Sequence, residues 1–360
     1  MRAAICYEAG KPLTIEDGVT VDAPGKGEVK VRVAVTAVCH SDLHFIKGDR
    51  PADLPGVAGH EVAGYVEEAG EGVTELSPGD TVIVGTVTAG CGRCYYCTIG
   101  LPHLCSNLPR PSQARHVNSR GQRLRPLAGP SGGFAEYITI RQDLVAKVPK
   151  EIPLDRAALL ACGVSSGFGA VVNRAHVEPM SSVVVVGAGG VGMNAIQGAA
   201  FCGAHPVIAV DILDHKLEMA STFGATHTVN AARESDPIET VKELTHGRGA
   251  DYVFVTVGDT GALRQGYLMS RPRGMTVAVG VMQGDLSSFS PYELLSERVL
   301  TGAGGGSLRL RIDIPMLVDL YLAGRLKLDE LISGRYTLDQ INLAVDSLAE
   351  GKALRNLIVF

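Results

Sequence analysis

Val183-Val184-Val185-Val186-Gly187-Ala188-Gly189-Gly190-Val191-Gly192 is the stretch that decides the fold. The apolar run reads as a buried strand, and the glycines as a tight turn. Met193 to Cys202 carries helical spacing up to a stop at Gly203. A second apolar run, Val207-Ile208-Ala209-Val210, ends on Asp211, 19 residues after Gly192. Strand, turn, helix and acid-tipped strand at this spacing predict a dinucleotide-binding βαβ unit. Gly187 allows the sharp turn, Gly189 lets backbone amides approach a pyrophosphate, and Gly192 lets the helix lie close to the sheet. Gly190 and Val191 open the helix, whose unpaired N–H groups and positive end then face the phosphates. Asp211 can accept hydrogen bonds from both ribose hydroxyls and would repel a 2′-phosphate, which favours NAD over NADP. A glycine-rich turn of another α/β fold is the competing reading, and the two strands with the acid weigh against it.

The chain has 360 residues, enough for two domains with cores of their own. Its 46% apolar and 20% charged residues are an ordinary globular balance. A net charge of −5 points away from nucleic acid and anionic membranes. Met1 to Cys6 reads directly into a short strand. No charge-free apolar stretch of about 18 residues occurs, so neither a signal peptide nor a membrane span is expected, and the expected location is cytoplasmic. Of eight cysteines, Cys91, Cys94, Cys97 and Cys105 cluster, while Cys6, Cys39, Cys162 and Cys202 are scattered. Without a secretory signal, clustered cysteines point to a metal rather than to disulfides.

Residues 1 to about 150 read as an all-β domain of short strands and glycine turns, such as the alternating run Val29 to Val35. Val38-Cys39-His40-Ser41-Asp42-Leu43-His44 crowds thiol, hydroxyl, carboxylate and imidazole just after a strand. Gly56-Val57-Ala58-Gly59-His60-Glu61 puts a ligand type beside an acid. Taken alone, each segment reads as a turn with incidental polar residues. Cys91, Cys94, Cys97 and Cys105 can close a tetrahedron around zinc with no position left for water. An iron–sulfur cluster takes four thiolates too. The stretch 106–131, rich in Arg, Gly and Pro, reads as a long loop. A strand is expected over Gly133 to Ile140, a helix from Ile152 to Leu160, and later parallel strands at Val253–Val257 and Met275–Val279. Helix patterns follow at Ile314–Ala323 and Leu338–Glu350, and a strand at Asn356–Phe360.

Several stretches together resemble the zinc-dependent alcohol dehydrogenases of the medium-chain dehydrogenase/reductase superfamily. They are Cys39-His40-Ser41-Asp42, Gly59-His60-Glu61, the cysteine quartet, Cys162-Gly163-Val164-Ser165-Ser166-Gly167, and Gly187 to Asp211, with Gly351 to Arg355 a weaker match. The ordered set covers essentially the whole chain. The resemblance implies an α/β architecture: a doubly wound parallel Rossmann sheet, residues 164–303, inserted in a GroES-like β-rich catalytic domain, residues 1–163 completed by 304–360. It implies two zinc ions per chain, NAD, and a homodimer or homotetramer. The quartet is then the structural zinc site. Cys39, His60 and Cys162 hold the catalytic zinc and leave a fourth position open. Ser41 takes the alcohol proton and His44 passes it to solvent. Asp42 orients a ligand, and Glu61 tunes the zinc from behind. His40 stands at the pyrophosphate, and Lys216 and Arg355 at the cofactor's ribose and phosphates.

The implied reaction moves a hydride between a primary or secondary alcohol and NAD, giving an aldehyde or ketone. Matching the motifs puts Val87 where ethanol-active relatives often place an aromatic ring. It puts Gly304 and Gly305 where bulky residues commonly close the pocket, with Ser166 and Val281 also lining it. Removing those walls favours a bulky, aromatic or long-chain alcohol. The alternatives are an NADH-dependent aldehyde or ketone reductase and a dehydrogenase of thiol-conjugate alcohols. For the last, Lys47-Gly48-Asp49-Arg50-Pro51-Ala52-Asp53 matches the glutathione-gripping pattern poorly, although the 106–131 stretch carries several arginines. A non-catalytic nucleotide-binding relative would have no need of the open-site ligands with Ser41 and His44.

Overall fold

The computed structural model describes residues 1–107, 114–282, 284–286 and 289–360. The valine alternation that begins at Val29 lies on an eleven-residue strand, Glu28–Val38. Val29, Val31 and Val33 pack with Val62, Val66, Val82, Val84 and Ile138. One edge of this strand pairs antiparallel with Glu61–Ala69. Its other edge pairs with Tyr137–Arg141 over the first half and with Arg355–Val359 over the second. Thr81–Val84, Val145–Lys147 and Ile332–Tyr336 complete seven strands. The last strand of the chain therefore lies beside Val35–Val38, immediately before Cys39. Both ends of the chain build one compact unit, Met1–Cys162 with Arg309–Phe360.

A second, six-stranded sheet of the same unit orders Thr14–Glu16, Ala3–Cys6, Gly56–Val57, Arg123–Pro126, His116–Val117 and Thr20–Val21. Two of these strands lie in the stretch expected to be a loop. Leu124 explains them: it is fully buried with Ile5, Val57 and Phe134, and anchors a short alternation between Arg123 and Arg125. Residues 108–113 of that stretch lie outside the described residues. The unit is not all-β either. Helices run at His40–Lys47, Leu154–Leu160, Leu310–Leu322 and Ile341–Ala349. The first was not foreseen, although Asp42 in its first turn and Gly48 past its end, at φ +86°, are start and stop signals. The strand expected from Gly133 begins only at Tyr137. Before it, Ala135 bridges Ala3 and Phe134 is buried.

The other compact unit, Gly163–Leu308, holds six parallel strands. Their order is His227–Asn230, Val207–Asp211, Val183–Val186, Ala250–Val255, Ser270–Ala278 and Val299–Gly302. This is the doubly wound dinucleotide order, and its direction reverses beside Val183–Val186. That strand pairs on both edges and is buried, as its unbroken apolar run requires. Helix Gly190–Phe201 follows the glycine turn. No single helix among the described residues is long and apolar enough to cross a membrane.

Gly192 sets how closely that helix lies on the strand. A Cβ there would fall 1.8 Å from the Gly187 carbonyl oxygen. Gly192→Ala must push helix and turn apart, at a cost of about 3 kcal/mol. We expect a lower Tm together with weaker nucleotide binding by calorimetry. Wild-type values for both would mean the close approach is not needed.

Candidate active site and cofactor residues

Strand Glu28–Val38 delivers Cys39 to the start of helix His40–Lys47. The Cys39 N–H donates to Asp42 Oδ2 at 3.0 Å. Asp42 Oδ1 accepts from the Gly59 N–H and from His60 Nδ1, each at 2.9 Å. The Asp42 carboxylate is fully buried and satisfied by these three donors. Gly59 can take part because it has no side chain: its φ is +91°, and a Cβ would meet Phe134 at 2.6 Å. With Nδ1 bonded to Asp42, His60 turns Nε2 toward Cys39 and Ser41.

Cys162 follows helix Leu154–Leu160. Ligand atoms of Cys39, His60, Glu61 and Cys162 all lie within 4.8 Å of one another. A hydrogen bond from the Cys162 thiol holds Cys39 well below the usual thiol range, and the same bond raises Cys162. Burial pushes the His60 imidazole down, but Asp42 and Cys39 outweigh it, so His60 stands well above its ordinary value. A cation bound at Nε2 displaces that proton. Glu61 is fully buried, and neither carboxylate oxygen has a hydrogen-bond partner among the described residues. Burial raises its carboxyl to about 8, with Arg355 pulling the other way. Two thiols and an imidazole converging on one point fit a zinc ion, with the Glu61 carboxylate beside them. Glu61, expected behind the ligands, sits among them.

Ser41 Oγ lies 3.1 Å from His60 Nε2 and donates to Cys39 Sγ at 3.3 Å. His44 is half-buried one turn further along the helix, with Nδ1 at 3.1 Å from Asp49 Oδ2. Asp49 escaped the sequence reading. His40 is exposed at the helix start. Arg355, expected at the cofactor's phosphates, is instead 2% exposed, with Nη1 at 3.1 Å from Glu61 Oε1. Its place at the head of an apolar strand is the signal that it could be buried.

The second cluster is the quartet Cys91, Cys94, Cys97 and Cys105, again within 4.8 Å. Cys94 and Cys105 sulfurs are 3.8 Å apart. A tetrahedron with Zn–S bonds of ~2.3 Å has an edge of about 3.75 Å. The Cys97 backbone N–H lowers the Cys94 thiol to about 5, while desolvation pushes Cys97 up to about 11. Tyr95, Tyr96 and Ile99 between these ligands are exposed, so the lobe has little core of its own.

In the unit with the parallel sheet, Gly189 caps helix Gly190–Phe201. A Cβ on Gly189 would meet nothing within 4 Å, and its φ of −81° suits any residue. Packing does not demand glycine there, which leaves open space before the amides of Gly190 and Val191. Asp211 accepts from the Ala188 N–H at 2.7 Å, and from Ile212 and Leu213 at 2.8 and 3.0 Å. These amides fix its charge beside the glycine turn, as a ribose acceptor requires. Lys216 is half-buried on helix Asp214–Thr222.

A cavity of about 860 Å³ opens in the unit that holds the cysteine–histidine cluster. Phe45, Thr86, Val87, Leu127, Gly129 and Leu144 are among its walls. A Cβ on Gly129 would lie 2.9 Å from His60 Cβ, so this wall backs onto the cluster. Within the other unit, Ser166 is buried on helix Gly163–Gly169 and Val281 is half-buried. Gly304 has nothing within 4 Å of a Cβ, and Gly305 has a φ of +54°. Gly306, which the sequence reading did not single out, packs this turn against Ser165.

We expect two zinc ions per chain by elemental analysis. Cys94→Ser should lose one and fold in lower yield. Cys162→Ser should lose activity with the fold retained. A single zinc in the wild type, or iron–sulfur absorbance, would contradict the two ligand sets.

Comparison with known proteins agrees with this geometry. The family profile described as alcohol dehydrogenase GroES-like domain matches residues 25–150, and that described as zinc-binding dehydrogenase matches residues 190–323. The chain is 37% identical to S-(hydroxymethyl)glutathione dehydrogenase of Saccharomyces cerevisiae, over 99% of this chain and 95% of that protein. It is 38% identical to the class-3 alcohol dehydrogenase of Pisum sativum, over 98% and 96%. Among solved structures, benzyl alcohol dehydrogenase from Acinetobacter calcoaceticus superposes with a TM-score of 0.91 at 33% identity, covering 100% of this chain and 99% of that one. An alcohol dehydrogenase zinc-binding domain protein from Burkholderia ambifaria gives 0.92 at 35%, over 100% and 98%. Two zinc-ligand clusters, a dinucleotide-binding sheet and these relatives make the chain a member of the zinc- and NAD-dependent alcohol dehydrogenases of the medium-chain dehydrogenase/reductase superfamily.

Proposed function

We propose that the chain interconverts a bulky, uncharged primary or secondary alcohol, aromatic or long-chain, and its aldehyde or ketone, with NAD as hydride acceptor. The observation that carries this reading is the cavity of about 860 Å³ behind His60, with valine rather than an aromatic ring at position 87. Such a site holds ethanol loosely. Each further buried methylene is worth about 0.8 kcal/mol, or about fourfold in kcat/KM.

Cys39, His60 and Cys162 would hold the zinc, which would supply a Lewis acid for the substrate oxygen. The residues of the chain then do the following. Asp42 keeps His60 and Cys39 in place. Ser41 Oγ, beside both ligands, accepts the hydroxyl proton of the alcohol as it releases its own along the relay toward His44. His44, on the same helix face and open to water, hands that proton to solvent, with Asp49 orienting its ring. Phe45, Val87, Leu127 and Leu144 on the cavity wall keep water from the reacting carbon.

A dehydrogenase of S-hydroxymethyl thiol conjugates is the second reading, and the names of the yeast and class-3 relatives favour it. The charge on the cavity wall argues against it. Its three arginines, Arg115, Arg125 and Arg141, are each paired with a carboxylate: Glu28, Asp53 and Asp143 respectively. Among the described residues no arginine on the wall is left over for the carboxylates of a peptide conjugate. Arg110 lies outside them.

Comparing kcat/KM for ethanol, hexanol, benzyl alcohol and S-(hydroxymethyl)glutathione tests the substrate. We expect hexanol and benzyl alcohol to exceed ethanol at least tenfold, and Val87→Phe to depress benzyl alcohol far more than ethanol. If ethanol is best, or Val87→Phe spares the bulky substrates, the large-pocket reading is wrong. His44→Gln should slow alcohol oxidation near neutral pH and recover partly as buffer base is raised. An unchanged pH–rate profile would place the proton exit elsewhere.

A further inference from the structure

We infer that Thr256 is a positioning residue for the cofactor: through a single peptide group it holds Asp211 in place, and so sets the preference for NAD over NADP. The inference rests on Asp211 facing the adenosine ribose, as its place at the tip of strand Val207–Asp211 predicts. Thr256 follows strand Ala250–Val255. That strand and Val207–Asp211 pair with opposite edges of Val183–Val186. Thr256 and Asp211 therefore flank the glycine turn from its two neighbouring strands.

The Thr256 hydroxyl has two carbonyls in reach, that of Gly187 at 2.7 Å and that of Val186 at 3.2 Å. Val186 already accepts the Thr256 N–H at 2.9 Å, so the one hydroxyl proton goes to Gly187. In a trans peptide the carbonyl and the following N–H point opposite ways. With its carbonyl turned to Thr256, the peptide aims the Ala188 N–H at Asp211 Oδ2, which accepts it at 2.7 Å. One rigid plane thus joins the ends of three strands. Asp211 Oδ1 is taken by the Ile212 and Leu213 N–H groups of its own segment. Oδ2 is then the oxygen with most room for a ribose hydroxyl, and the Ala188 bond fixes it. Gly187 is buried, with a φ of +95°. A glycine tolerates more than one conformation, so the chain alone does not stop this peptide from rotating. The hydroxyl does, because rotation would strand a buried carbonyl without a donor. A Cβ on Gly187 would lie 2.9 Å from Thr256 Oγ1, and one on Gly192 3.1 Å, so the hydroxyl occupies room that two glycines of the turn leave.

Binding of NADH and NADPH to the zinc-loaded enzyme, followed by nicotinamide fluorescence, reads this without turnover. The wild type should bind NADH the more tightly. Thr256→Val keeps the shape and loses the hydroxyl. Its ratio of Kd for NADPH to Kd for NADH should fall about fivefold, the worth of one hydrogen bond. An untied Asp211 both grips the ribose less and swings away from a 2′-phosphate. Thr256→Ser, which keeps the hydroxyl, should hold the wild-type ratio. In Asp211→Ala the ratio should fall, and adding Thr256→Val should move it no further. A merely structural role would weaken both cofactors alike, since they share the pyrophosphate, and would leave the ratio alone. Thr256→Ala is a second hydroxyl-free protein, read in the same way where the valine variant does not fold. An unchanged ratio in folded Thr256→Val or Thr256→Ala overturns the inference. So does a shift that Thr256→Ser shares, or one that Thr256→Val still produces in the Asp211→Ala background. If Asp211→Ala leaves the ratio unmoved, the ribose premise falls with the inference. None of these outcomes depends on which alcohol is the substrate.

Discussion

The buried carboxylate of Asp42 is the contact on which the site depends. Its two oxygens accept from the Cys39 N–H, the Gly59 N–H and His60 Nδ1. One side chain thereby caps a helix, closes a glycine turn and sets the orientation of an imidazole. Cys39 arrives from the end of one strand, and His60 from the residue before another. Their relative position would otherwise be set only by the β-sheet that carries them. A buried carboxylate with fewer donors would be costly, so the three bonds also hold the loops to Asp42.

The sheet in turn explains why residues far apart in the chain meet. Strand Arg355–Val359 lies beside Val35–Val38, and so brings Arg355 behind Glu61. Arg355 and Glu61 are both buried, yet most of their polar atoms make no hydrogen bond among the described residues. Such a pair is stable only within a larger arrangement of charges. Two thiols and an imidazole on one side, with a guanidinium on the other, provide it once a divalent cation is present.

Much of this was legible in the sequence, because the signals are local. The glycine turn with its flanking strands and the cysteine quartet declare themselves within a few residues, whereas the short motifs around Cys39 and His60 gain their meaning from the ordered set to which they belong. What remained hidden was either short or non-local. Helix His40–Lys47 has eight residues, too few for a periodic pattern to outweigh its polar composition. The strands at His116–Val117 and Arg123–Pro126 offer one buried leucine between charged neighbours. The Glu61–Arg355 pair and the charge balance around Arg115 join segments that only the sheets bring together. An arginine reads as a ligand contact until its carboxylate partner is known, and that partner depends on strand register.

If Asp42 holds the two ligands as described, its charge should matter most to the zinc at Cys39, His60 and Cys162. Asp42→Asn keeps the shape but turns an N–H₂ group toward N–H donors. The most direct measurement is release of zinc to a competing chelator from wild type and Asp42→Asn, with the quartet zinc as an internal reference. The catalytic zinc should be held about 10- to 100-fold more weakly in the variant, with the structural zinc unchanged. Equal retention of both ions in a folded Asp42→Asn protein would contradict the account.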